Sequence, residues 1–317
     1  MTRCEIGNLG LTEDSVKRTA IAVAVMLLFL AVAATAQFTE WSAPVNVGPP
    51  VSSAANESCI EISKNGLSLY FARYTTSWDL YVSQRTSIDE PWGPPTLLPN
   101  INNPNNALTP ETCPALSLDE HKLYFSSTRD GGCGGADLYV SSRQDRQDDL
   151  GWEPPVNLGC ESHGYVNTTS NEQVPEFFED ETGAVVMYYG GTGYIRASRM
   201  RHDETFGPGT VVTELGTGGA SAVRRDGLEI VFASSRAGGL GCSDMWTATR
   251  ESTEDLWSTP VNLGTVVNTN MTDDGRLGLS FDGRALYFTS NRGGTNCSTD
   301  PGDVYVTTRE RLHGKKN

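Results

Sequence analysis

Histidine is scarce in this chain: there are four (His121, His163, His202, His313), and no H-E-x-x-H pattern joins any two. A zinc-hydrolase reading therefore has no ligand set to rest on. None of the seven cysteines forms a C-x-x-C pair, and no G-x-S-x-G occurs. Cysteine-bound zinc and nucleophile-elbow chemistry are thus without support. Helical periodicity is nearly absent. Cations are also few, with 24 Lys and Arg against 39 Asp and Glu for a net charge of −15. Such acidity disfavours nucleic acid and anionic lipid as partners, and tolerates cations, basic proteins and neutral sugars.

One apolar run stands out, TAIAVAVMLLFLAVA, short of the roughly 20 residues a membrane-spanning helix needs. Lys17 and Arg18 precede it and Ala34-Thr35-Ala36 ends it. That is the layout of a cleaved secretory signal over residues 1–36, leaving a mature chain of 37–317 in the periplasm or outside the cell. A retained anchor is the alternative. Glu5, Glu13 and Asp14 in the leading segment fit true initiation near Val16. After cleavage six cysteines are left, Cys59, Cys113, Cys133, Cys160, Cys242 and Cys297. An even count in an exported chain points to disulfides.

The mature chain is built on a repeat. Its fullest copy reads ETCPALSLDEHKLYFSSTRDGGCGGADLYVSSR from Glu111, followed by GWEPPVNLG. An aromatic marks each copy, at Trp41, Trp92, Trp152, Phe206 and Trp257, with spacings of 51, 60, 54 and 51 residues. Periods of this length carrying several short strands indicate propeller blades. Each copy divides into four strands: A (PALS), B (LYFSS), C (DLYVSSR) and D (WEPPVNLG), with Asp-Gly turn chemistry between A and B in several copies and proline suited to an outer edge in D. The expected fold is all-β, a five-bladed propeller of four-stranded antiparallel blades over about 57–99, 111–159, 172–215, 218–264 and 274–308. The segment 38–48 is a strand D with no A, B or C before it. It should complete the last blade and close the ring.

The phrases PALSLDEHKLYFSSTRDGG…ADLYVSSR and LSFDGRALYFTSNRGG…GDVYVTTR resemble the WD-repeat-like (PD-type) propeller repeat of exported bacterial proteins, found in the propeller of the Tol-system periplasmic protein. The resemblance implies the fold and a binding role, and names no ligand.

Three residue sets are candidates for chemistry. Arg and Asp flank the B–C loop in four copies: Arg73 and Asp79, Arg129 and Asp137, Arg236 and Asp244, Arg292 and Asp303. A feature shared by four copies serves the repeat, so these read as hairpin-holding ion pairs. A second set heads strand A: Glu57, Glu111, Glu172 and Asp274, with Gly218 in the fourth copy. In an innermost strand these acids should face the channel mouth, near Asn56, Asn106, Asn167, Asn171 and Asn268. Two readings stay open for them: caps on backbone N–H groups, or an oxygen-rich ligand site for a sugar, a basic segment or Ca²⁺. No cofactor is otherwise implied. The third set is the cysteines, which all fall on the acid-bearing face; the expected bridges are Cys59–Cys113, Cys133–Cys160 and Cys242–Cys297.

The leading expectation is a monomeric, non-catalytic propeller presenting its acid-rimmed face to a protein, peptide or carbohydrate ligand. The alternatives are an envelope-assembly scaffold and a glycoside hydrolase using two carboxylates in the central pocket. Against the hydrolase, the four acids are repeat-equivalent, whereas catalytic groups normally break a repeat.

Overall fold

The computed structural model describes residues 38–103, 106, 108–270, 274–293 and 302–312. The proposed signal segment 1–36 and Cys297 lie outside the described residues. Contacts divide the chain into a large unit, Trp41–Arg309, and a small one, Met1–Glu40 with Glu310–Asn317. In the small unit Phe38 bridges Arg311 in antiparallel fashion, and the Thr39 N–H donates to the Glu310 carbonyl.

The large unit begins with β1 (Val45–Asn46) and continues through blade one, β2 (Asn56–Ile62), β3 (Ser68–Tyr74), β4 (Trp78–Gln84) and β5 (Thr96–Leu97). Blade two is β6 (Glu111–Leu116), β7 (Lys122–Ser127), β8 (Asp137–Ser142) and β9 (Val156–Asn157). Blade three is β10 (Glu172–Glu179), β11 (Val185–Gly191), β12 (Tyr194–Arg199) and β13 (Thr210–Val211). Blade four is β14 (Ser221–Val223), β15 (Glu229–Ser234), β16 (Asp244–Thr249) and β17 (Val261–Asn262). Blade five, β18 (Asp274–Leu279), β19 (Ala285–Ser290) and β20 (Asp303–Thr308), takes β1 as its outer strand, Val45 facing Val306 and Asn46 facing Tyr305. The ring therefore closes through a pairing between the two ends of the unit, as the lone strand D predicts.

Adhesion lies between blades. Strand alternation turns one set of apolar side chains toward each neighbour. Tyr70, Leu80, Leu116, Phe125 and Trp152 join blades one and two, and Tyr124, Phe177, Met187 and Phe206 join two and three. Phe178, Ile230, Trp246 and Trp257 join three and four, Val231, Met245, Leu286 and Phe288 join four and five, and Ile60, Phe71, Tyr287 and Val304 join five and one. Each such side chain, fully buried, contributes about 1.5–3 kcal/mol.

A second device repeats at the far ends of the C strands. The guanidinium of Arg85, Arg143, Arg250 or Arg309 lies 4.2–4.3 Å from the ring centroid of Trp92, Trp152, Trp257 or Trp41 respectively. Nε of each donates to a carbonyl in its own blade's A–B turn: Gly66, Glu120, Gly227 and Gly283. The arginine thus ties turn, third strand and outer strand together, through a cation–π contact and a hydrogen bond.

The inner strands are bulged. Pairing with the second strand shifts register between Ser58 and Ile60, Thr112 and Ala115, Gln173 and Glu176, and Gly275 and Gly278. At each shift a non-glycine residue takes positive φ: Cys59 (50°), Cys113 (55°), Val174 (54°) and Arg276 (56°). L-residues reach this conformation only at a cost. The gain is directional: Cys59, Cys113, Val174 and Ala220, the blade-four equivalent, meet in one buried cluster contributed by four blades.

Candidate functional site

The four strand-head acids do not face the channel as expected. Asn56 and Ser58, and likewise Asn171 and Gln173, line the central cavity, so strand alternation turns Glu57 and Glu172 between them into the blade. Glu57, Glu111 and Asp274 are fully buried, and Glu172 nearly so. Glu57 accepts from the Ser53 hydroxyl (2.6 Å) and N–H (3.1 Å) and from Nε of Arg73 (2.8 Å). Glu111 accepts from Ser127 and from Arg129, both at 3.0 Å, and Asp274 from Arg292 at 3.1 Å and the Thr269 N–H at 3.0 Å. Burial raises the pKa of Glu57, Glu111 and Glu172 above the ordinary glutamate value.

The same contacts correct the expected Arg–Asp loop pairs. Arg73, Arg129 and Arg292 reach back to the strand-head acid, each stacked over two rings: Phe71 and Tyr81, Phe125 and Tyr139, Phe288 and Tyr305. Asp137, Asp244 and Asp303 instead accept an outer-strand amide, from Asn157, Asn262 and Asn46. Asp137 also caps the Cys133 N–H, and Asp244 those of Leu240 and Gly241. Asp79 faces Arg73 across β3 and β4, and burial raises its pKa. The physical reason is register. The A–B hairpin sets Glu111 directly opposite Ser127, so an arginine two residues on meets the carboxylate before it meets the loop aspartate.

Two blades break this device. Blade three has Gly191 in place of the arginine, leaving Glu172 bonded to the Thr168 hydroxyl (2.6 Å) and N–H (2.9 Å). Blade four has Gly218 in place of the acid, and Arg236 donates to the carbonyls of Leu215 and Thr217.

One disulfide joins blades one and two, Cys59 to Cys113, and another ties the loops of blade two, Cys133 to Cys160. Cys242 is also disulfide-bonded, and its expected partner Cys297 lies outside the described residues. Of the asparagines, Asn167 and Asn268 clamp both backbone groups of Leu138 and Met245, whereas Asn106 caps the Leu108 N–H. Among the described residues no cluster of three or more His, Cys, Asp or Glu is placed to hold a metal ion.

A cavity of about 1010 Å³ opens where the inner strands begin. Its wall includes Trp78, the amide side chains of Asn56, Asn171 and Gln173, and a run of glycines from blades three and four. A smaller space of about 280 Å³ adjoins it and shares Trp78 and Arg276. The floor is the bulge layer. Arg276 of blade five places Nη1 3.7 Å from both Cys59 and Cys113 Sγ, reaching across the axis to blades one and two.

Two residues beyond the bulge lies a layer for which no role was expected from the sequence. Blades two, four and five carry Ala115, Ala222 and Gly278 there, and blades one and three carry Glu61 and Glu176. Gly278 is obligatory in this packing, since a Cβ would run into the Ile60 carbonyl. Blades one and three are not neighbours, so Glu61 and Glu176 influence each other across the axis. Arg225 of blade four lies beside Glu61, with Nη2 3.7 Å from its Oε1, and its charge also acts on Glu176. Glu61 also accepts the Leu116 N–H at 3.1 Å. Burial pushes its pKa from 4.5 up to about 7, against the pull of Arg225. Glu176 keeps some exposed surface within the channel, and its carboxyl receives no hydrogen bond among the described residues. Burial first, and the Glu61 charge second, push it well above the ordinary range. The two carboxyls thus titrate as an interacting pair, both above the ordinary glutamate value.

No protein-family model matches the chain, and no curated protein matches it. Solved structures do. The α-L-arabinofuranosidase of Podospora anserina, in complex with cellotriose, aligns with a TM-score of 0.57 at 11% identity over 87% of this chain and 98% of its own. A GH62 hydrolase in complex with xylotriose aligns at 0.56 and 11% over 86% and 98%. The α-L-arabinofuranosidase of Lactobacillus brevis aligns at 0.56 and 14% over 82% and 92%. At these identities the likeness is one of fold. It nevertheless overturns the expected place in the Tol-type WD-repeat-like family, and with it the non-catalytic ligand- or protein-binding role drawn from that resemblance. The three propellers named here are those of glycoside hydrolases.

Proposed function

We propose that this chain is an exported glycoside hydrolase that takes a glycan chain into the channel through the 1010 Å³ cavity at its mouth and cleaves it in the layer beneath with Glu176 as proton donor and Glu61 as base or nucleophile. One observation carries the reading. In the inner-strand layer below the cavity floor, two of the five repeats replace a small residue with glutamate, and those two carboxyls feel each other's charge across the axis. They break the repeat, as the strand-head acids do not. Glycosidic cleavage requires one carboxyl that holds a proton at working pH and one that does not. Desolvation with no partner keeps Glu176 protonated, and Arg225 with the Leu116 N–H favours the ionised form of Glu61. Trp78 offers an apolar ring face and Asn56, Asn171 and Gln173 offer amides, the mixture that orients a sugar's faces and hydroxyls.

The test is hydrolysis of arabinan, xylan and their oligosaccharides by the purified mature chain, followed by product chromatography. Glu176→Gln and Glu61→Gln should each lower turnover by about 10²–10⁴-fold with the circular dichroism spectrum retained. Full activity in either variant, or no cleavage of any pentose glycan by the wild type, overturns the proposal.

A further inference from the structure

The rim of the cavity departs from the repeat in the same two blades that carry Glu61 and Glu176. Blades two and four join their second and third strands through residues 128–136 and 235–243, loops tied by disulfides at Cys133 and Cys242. Blades one and three use only residues 75–77 and 192–193. Thr192 (φ 50°) and Gly193 (φ 83°) make a two-residue turn of the kind that closes a tight hairpin. Less chain therefore stands above the sheet in these two blades, and each short hairpin carries an exposed aromatic. Of the described aromatic side chains only Tyr74, Tyr194 and Phe281 are exposed, Tyr74 by 44% and Tyr194 by 41%. Phe281 sits under Lys64 in an A–B turn, at the opposite end of the blades. Tyr74 packs edge-to-face on Trp78, ring centroids 5.5 Å apart. Trp78 lines the cavity, as do Thr192 and Gly193 beside Tyr194. Tyr194 also breaks the repeat: it faces Gly191 where Asp79, Asp137, Asp244 and Asp303 stand in the other blades.

An aromatic ring left in water forgoes the burial its area would otherwise gain, and the repeat does not ask for it here. In blades two, four and five the position of Tyr74 is held by Thr128, Ser235 and Asn291. The C–H faces of sugar rings lie flat on such rings and cover them, while amides take the hydroxyls. The amides on the cavity wall come from the same two blades, Asn56 from blade one and Asn171 and Gln173 from blade three. Two aromatic platforms with amides between them suit a run of sugars and exceed what a single sugar can cover. We infer that the protein anchors a polysaccharide across its mouth, on Tyr74 and Trp78 of blade one and Tyr194 of blade three, at sugars remote from the one that reaches Glu61 and Glu176. This rests on the hydrolase reading and narrows its substrate to polymers, for which short oligosaccharides are poor substitutes.

The experiment is calorimetric titration of the mature protein, carrying Glu176→Gln so that ligand is not consumed, with xylobiose and xylohexaose and with the corresponding arabino-oligosaccharides. The longer ligand of the series that binds should bind about 10- to 100-fold more tightly than the shorter. Adding Tyr194→Ala should lower affinity for the hexasaccharide about 10-fold and leave the disaccharide within about twofold. Tyr194→Phe, which keeps the ring, should restore the preference for length. A merely structural tyrosine would weaken both ligands alike or neither. Equal affinity for short and long ligands overturns the inference, and so does a length preference that survives Tyr194→Ala; either result leaves the hydrolase reading intact if the polysaccharide screen shows cleavage. Binding of neither ligand, together with no cleavage in that screen, removes the hydrolase reading and the inference with it. The comparison of short with long ligand needs no change at Tyr194, so a misfolded Tyr194→Ala does not blunt it.

Discussion

Replacing Glu61 by glutamine should make the protein more stable at pH 8 and inactive. The carboxyl is 3% exposed and its pKa stands at about 7 against an ordinary 4.5. In the unfolded chain it ionises near pH 4.5; in the folded one it keeps its proton until about pH 7. Between those values the folded state holds more protons, so stability falls as pH rises through the window, and the loss is complete above it. At about 1.4 kcal/mol per pKa unit, the rise corresponds to roughly 3 kcal/mol. Glutamine keeps an oxygen for the Leu116 N–H, carries no charge, and escapes that cost. For a domain this size 1 kcal/mol moves the melting temperature by about 2–4 °C. Glu61→Gln should therefore melt about 6–12 °C above the wild type at pH 8, and within about 2 °C of it at pH 4, where both side chains are neutral. Scanning calorimetry at pH 4, 6 and 8 on both proteins makes the comparison, and taking the difference cancels other titrating groups such as Glu57 and Glu172. A wild type as stable as the variant at pH 8 would refute the claim that this carboxylate is held in the channel at a cost to the fold.

Two further outcomes follow from the contacts. Arg129→Met strips Glu111 of its cation while leaving the carboxyl fully buried, and should cost about 3–5 kcal/mol in urea denaturation; the paired change Glu111→Gln, Arg129→Met should cost less than the single one. Trp78→Ala should weaken oligosaccharide binding by about 10- to 30-fold in the same titrations used for Tyr194, and unchanged affinity would place the glycan elsewhere.

The blades could be read from sequence because every repeat must solve the same packing problem, and it solves it with the same residues. The Trp spacing, the Asp-Gly turns and the unmatched strand at 38–48 all state local requirements that no distant contact can override. Partnerships were less legible. Arg129 is eight residues from Asp137 and eighteen from Glu111, and closeness along the chain suggests the wrong carboxylate; only the hairpin register, which brings the start of one strand beside the end of the next, makes the longer separation the shorter distance. The carboxylate pair was least legible, because Glu61 and Glu176 belong to non-adjacent blades and nothing near either in sequence points at the other. Their signal lies in comparing the same position across repeats. The strand-head position is acidic in four of five repeats and is bonded within its own blade. The position four residues on is Ala, Ala or Gly in three repeats and glutamate in two. A small residue suffices to build that layer, so the two glutamates contribute nothing the fold requires, and Glu61 by the reasoning above costs it roughly 3 kcal/mol at pH 8. In a repeat protein a charge that is dispensable for packing and expensive to keep is where chemistry should be sought. By that criterion the channel layer, before the acidic rim, is where the proposed chemistry should be tested.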